Sequence, residues 1–134
     1  MRHWKTVLDP GEYLGPQDFP QPAKLIVSRI EREKVSEREE QEAPMIYFAT
    51  PDGKEIPRKY KCPKSVLYGL NLALGKDLDK WKGKEVELYA AQCYAFGEIE
   101  DCIRIKFSKE IEDNIIRWMK RRKANPASYK IGKA

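Results

Sequence analysis

LDKWKGKEVELY, residues 78–89, decides how the chain is read. The stretch carries a helix exit, a large aromatic anchor at Trp81, a glycine turn at Lys82-Gly83-Lys84 and the start of a strand. Val86 and Leu88 alternate with Glu85, Glu87 and Tyr89, a period of two that lays one strand face on a core. An indole buries a very large area, so Trp81 is suited to plug the open end of a small barrel. A helix that enters such a turn and leaves as an alternating strand predicts a five-stranded barrel. A helix then bridges strands three and four.

Upstream, Lys24–Lys34 (KLIVSRIEREK) is β-branched and then charged, which predicts strand one running out into solvent. Residues 31–42 hold six glutamates against three cations and are expected to form a solvated, mobile hairpin end. Met45–Thr50 is dense and apolar, suited to a central strand, and Pro51-Asp52-Gly53-Lys54 is a tight turn. Glu55–Lys61 follows as strand three, with Pro57 placing it at an edge or a bulge. From Pro63 the spacing of Val66, Leu67, Leu70, Ala73 and Leu74 predicts a helix capped by Gly75, which closes the barrel's base beside Trp81.

Downstream, strand four covers Glu85–Gln92 and Tyr94–Glu98 (YAFGE) reads as a turn with exposed aromatics. Strand five is Cys102–Phe107, with Ile103, Ile105 and Phe107 inward and Arg104 and Lys106 outward. Ser108 caps a final helix whose apolar stripe is Ile111, Ile115, Trp118 and Met119, and whose end is Lys120-Arg121-Arg122-Lys123. The expected organisation is an irregular arm over 1–22, a barrel over 23–107, a basic amphipathic helix over 108–124 and a flexible tail over 125–134. Trp4, Tyr13 and Phe19 of the arm are expected to cover the core.

Charge is unevenly placed. From Arg117 onward there are seven basic residues and no acidic one, whereas the first 116 residues carry 19 basic and 21 acidic side chains. The net +5 therefore resides on the C-terminal extension, not on the barrel. No run approaches the roughly 18 apolar residues of a membrane span, and the N-terminus lacks a signal-peptide core, so a cytoplasmic, membrane-free protein is expected. Cys62, Cys93 and Cys102 are read as reduced thiols.

Catalytic classes fail on inventory. His3 is the only histidine, so no Ser-His or Cys-His pair can be assembled, and no G-x-x-x-x-G-K phosphate loop occurs. Asp77 and Asp79 flank a helix end and read as caps. No metal, cofactor or catalytic residue is expected.

The order Tyr13-Leu14 with Asp18, Met45-Ile46-Tyr47-Phe48, Leu74-Gly75, Asp77, Asp79, Trp81, Gly83-Lys84, Val86, Leu88-Tyr89, Phe96-Gly97 and Ile103-Arg104-Ile105 resembles a family of small phage and prophage proteins. The W-x-G-K-x-V-x-L-Y core with the later I-R-I carries most of that resemblance, which spans roughly residues 12 to 107. It implies an OB-like barrel related to phage single-stranded DNA-binding proteins. Tyr60-Lys61-Cys62-Pro63 stands where family members often carry asparagine, and the basic helix runs past the family's usual end.

Two functions follow. Barrels of this type bind single strands across strands two and three and their flanking loops. That surface here offers Tyr47, Arg58, Tyr60 and Lys61, joined by Tyr94 and Phe96 and by the cations Lys120, Arg121, Arg122 and Lys123. Rings interleaved with cations suit single-stranded DNA, with RNA not distinguished. The glutamate-rich loop between strands one and two argues against a wide channel. The alternative is a phage protein-interaction module that engages a host or replication protein. The stripe Ile111, Ile115, Trp118 and Met119 is expected to be docked, on the chain's own barrel or on a partner or second copy, because an exposed stripe of this kind invites aggregation.

Overall fold

A computed structural model describes residues 13–34 and 42–133. Trp4 and the expected mobile hairpin end at 35–41 lie outside the described residues. Five antiparallel strands, β1 (Ala23–Lys34), β2 (Glu42–Ala49), β3 (Glu55–Lys61), β4 (Glu85–Ala95) and β5 (Glu98–Ile105), curl into a half-barrel in the order β3-β2-β1-β4-β5. Two helices complete it, α1 (Lys64–Leu74) between β3 and β4 and α2 (Lys109–Arg121) after β5.

Alternation makes the core. Leu25, Val27, Ile46, Phe48, Val86, Leu88, Ile103 and Ile105 point inward from β1, β2, β4 and β5, and Tyr60 joins them from β3. β1 is long enough to pair with both halves, holding β4 along Ala23–Ile26 and β2 from Ile26 to Lys34, with a bulge between Val27 and Arg29. Trp81 is fully enclosed, and its Nε1–H donates to the Gly75 carbonyl at 2.8 Å. Gly75 sits at φ 98, so the glycine that ends α1 also anchors the indole.

β3 and β5 are not ladder partners. Across that seam the Tyr60 hydroxyl donates to the Ile103 carbonyl at 2.9 Å, and Phe19 of the N-terminal arm is buried in the same cluster. Tyr13 bridges in parallel to Lys59, and the Leu14 amide donates to the Lys59 carbonyl. Leu14 and Phe19 are therefore core cover, whereas Tyr13 lies beside Lys59, whose ammonium is 5.5 Å from the ring. Pro57 lies on an outer strand of the sheet, where its missing donor is tolerated.

Three features differ from expectation. β4 and β5 continue to a two-residue turn at Phe96-Gly97, both at positive φ (53 and 82), so strand five starts four residues early. The stretch after α2 is packed, not loose. Tyr129 is buried, the Ile131 amide donates to the Gln92 carbonyl, and β6 (Gly132–Lys133) pairs with β4. That segment covers Arg104, which is buried and not outward. Its guanidinium donates to the carbonyls of Tyr129 and Ser128 and to its neighbour Ile103. A charge survives there because each of its three nitrogens donates to a carbonyl oxygen.

The stripe of α2 is spent on the chain's own core. Ile115 and Met119 are buried, Ile111 and Trp118 pack against them, and Trp118 stacks on Tyr68 of α1 at 4.8 Å. Gly69 permits this approach, since a Cβ there would stand 2.5 Å from the Phe107 ring. Of the two expected places for the stripe, the chain's own barrel and a partner or second copy, the fold takes the first for Ile111, Ile115 and Met119, while Trp118 stays half-buried.

Candidate nucleic-acid interface

The outer face of β1–β2–β3 is where rings and cations were expected to meet a strand. Two of its rings are already engaged. Tyr60 is 4% exposed, beside Phe48 in the core, and burial holds its phenol well above the ordinary range. It cannot offer a stacking surface. Alternation carried the signal, since Ile56, Arg58 and Tyr60 share one face of β3 and Ile56 packs on the core.

Tyr47 lies on the outer face, half-buried, with the Arg29 guanidinium 3.7 Å over its ring. Its hydroxyl donates to Glu33 at 2.6 Å, and Lys59 reaches the other oxygen of that carboxylate at 2.8 Å. Hydrogen bonds from Lys59 and then Tyr47 lower the Glu33 pKa, and the same contact with Glu33 raises that of Lys59. Arg29 also spans Glu55 at 3.1 Å and Glu31 at 2.6 Å, while Arg58 holds Asp18 at 2.9 Å. Each of these cations has a carboxylate, Arg29 and Lys59 on the outer face and Arg58 on the side of β3 that it shares with Tyr60, so the outer face presents little net positive field. Lys61 is exposed and has no ion pair among the described residues.

Tyr94 and Phe96 are exposed, at 41% and 99%, at the tip of the β4–β5 hairpin. Their neighbours are carboxylates: Glu98, Glu100 and Asp101 are all exposed, and no lysine or arginine occurs between Tyr89 and Asp101. Such a tip repels phosphate.

The end of α2 is different. Lys120, Arg121, Arg122 and Lys123 are all exposed, and none meets a carboxylate among the described residues. Arg122 lies 4.8 Å over the Trp118 ring, and Lys123 takes φ 56 as the chain leaves the helix. The helix dipole adds negative partial charge at this end, so these cations are held in place without being neutralised. Sequence reading thus named ten residues, and the fold leaves five of them, Lys61 and Lys120–Lys123, as exposed and unpaired cations.

Nothing among the described residues gathers three metal-ligating side chains. The thiols of Cys62 and Cys102 are pushed up to about 12, chiefly by burial, which makes them poor nucleophiles. No helix is long and apolar enough to cross a membrane among the described residues. No family description, no curated protein and no solved structure matches the chain.

Proposed function

We propose that the chain is a non-catalytic nucleic-acid-binding protein on an OB-like frame. The observation that carries the reading is the run Lys120–Lys123, four consecutive exposed cations with no acidic partner among the described residues. Strand order β3-β2-β1-β4-β5 with a helix between β3 and β4 supports the OB-like assignment. Single-stranded DNA of phage replication or recombination is the substrate the sequence resemblance suggests. The geometry supports a grip on phosphate more than a row of stacked bases, because Tyr47 and Tyr60 are engaged internally.

Fluorescence anisotropy with labelled single-stranded and duplex oligonucleotides, at two salt concentrations, tests this. Expected is binding that weakens steeply with salt, as counterion release requires. Absence of binding at low salt, or binding indifferent to salt, refutes it.

A further inference from the structure

The β4–β5 hairpin ends in an apolar point. Tyr94 and Ile99 face each other across the ladder, and Phe96 projects beyond them almost wholly in solvent. Its backbone is left-handed, a conformation that a two-residue hairpin turn demands and that asparagine supplies more easily. An aromatic ring held there is both exposed and strained, and neither condition helps the fold. Strain that is tolerated at a surface point marks a contact.

The molecule also carries the matching hollow. A cleft of about 550 Å³ lies between the far end of the β1–β2 ribbon and the two helices. Its floor is apolar, with Ile30, Leu67, Tyr68 and Trp118, and Arg32, Lys64 and Lys76 stand along it. No carboxylate lines it among the described residues. An apolar hollow with cations fits an apolar point flanked by Glu98, Glu100 and Asp101, and its volume is in the range that encloses a few side chains.

Register separates the two on one molecule. Ala23 pairs with Leu88, so Phe96 lies eight residues beyond that pair in one direction, while Ile30 lies seven residues beyond it in the other. At about 3.3 Å per residue, tip and cleft are on the order of 50 Å apart along the path of the strands. The hydrogen-bonded hairpin cannot fold back to its own cleft.

We infer that the hairpin tip of one copy seats in the cleft of a second copy, head to tail. Such a contact joins two different faces, so it does not stop at a dimer but propagates into a ring or a filament. The inference stands independently of the polynucleotide reading, because Lys120–Lys123 do not line the cleft.

Sedimentation velocity on the full chain over a range of concentrations tests it. Wild type should form species larger than dimers. Phe96→Asp, which removes the point, and the pair Lys64→Glu with Lys76→Glu, which reverses charge at the cleft, should each weaken association at least tenfold. Mixing the two variants should restore a 1:1 dimer and nothing larger, because one intact tip meets one intact cleft. Phe96→Asn, suited to the turn, should remain folded by circular dichroism and still fail to associate. A wild type that stays monomeric at high concentration overturns the inference and leaves the cleft to another protein. Oligomers that persist in Phe96→Asp, or a mixture that yields no dimer, overturn it as well.

Discussion

The outer face of β1–β3 and the end of α2 contain the same chemistry and present opposite surfaces. Arg29 and Lys59 on the first each hold a carboxylate, Tyr47 shares Glu33 with Lys59, and Arg58 at the opposite side of β3 holds Asp18. Lys120 to Lys123 on the second hold none among the described residues. Counting cations therefore misjudges a surface; the field depends on what lies within a few ångströms of each charge. The strands bring β1 glutamates beside β3 lysine by register, whereas the second half of α2 contains no acidic residue to supply.

The sharpest way to break this contrast is charge reversal. Lys120→Glu, Arg121→Glu and Arg122→Glu together should reduce oligonucleotide affinity about 100-fold or more and flatten the salt dependence by roughly two to three contacts. Arg58→Ala and Lys59→Ala should change affinity less than about twofold, because those cations are already committed. Anisotropy titrations of the three proteins side by side decide the matter. Equal losses at both surfaces would mean that the paired face opens its ion pairs to bind.

Next in size is the seam. Tyr60→Phe removes the hydroxyl that reaches from β3 to β5 and leaves the Ile103 carbonyl with one side-chain donor, Arg104, in place of two. A loss of about 1–2 kcal/mol in urea unfolding is expected, with oligonucleotide binding unchanged. A binding defect in that variant would restore Tyr60 to the interface and contradict its burial.

Much of this arrangement was written in periodicity. Trp81, the alternating Val86–Leu88 and the helical spacing of Val66 and Leu70 each carried their burial in the pattern. Arg104 did not, because a residue between Ile103 and Ile105 reads as outward unless something covers the outer face. The cover is Ser128–Tyr129, 24 and 25 residues further along the chain, in a polar stretch that itself lacks a pattern. Ion pairing was equally invisible. Glu33 and Lys59 are far apart in sequence and meet only through the registers of β1 with β2 and β2 with β3. Contacts made by tertiary register are what a linear reading of charge omits.

A smaller effect tests the electrostatics of the paired face. The Glu33 pKa is lowered in the fold, so its contribution is present above the ordinary carboxylate range and is lost as pH falls through the native value. The Lys59 pKa is raised, so its contribution is complete below the ordinary lysine value and is lost as pH rises through the native one. Wild type should exceed Glu33→Gln by about 0.5–1 kcal/mol near neutrality. The gap should close below about pH 4 and again above about pH 10–11. A gap that stays constant from pH 3 to pH 8 would show that the carboxylate charge does not matter there.

The smallest effect has the opposite sign, and it distinguishes a surface shaped by folding from one shaped by contact. Phe96 at φ 53 occupies the first central position of a turn that favours asparagine before glycine. Phe96→Asn keeps the turn, relieves the left-handed strain of a bulky side chain and removes no buried area, since the ring is in solvent. Stability should rise by about 0.5 kcal/mol, read as a higher urea midpoint at unchanged slope. Were the ring important to the fold, the same variant would lose stability. A gain in stability combined with a loss of association would mean that the ring sits at the tip for the contact it makes and not for the fold, just as the cations at the end of α2 stand clear, among the described residues, of any carboxylate that would neutralise them.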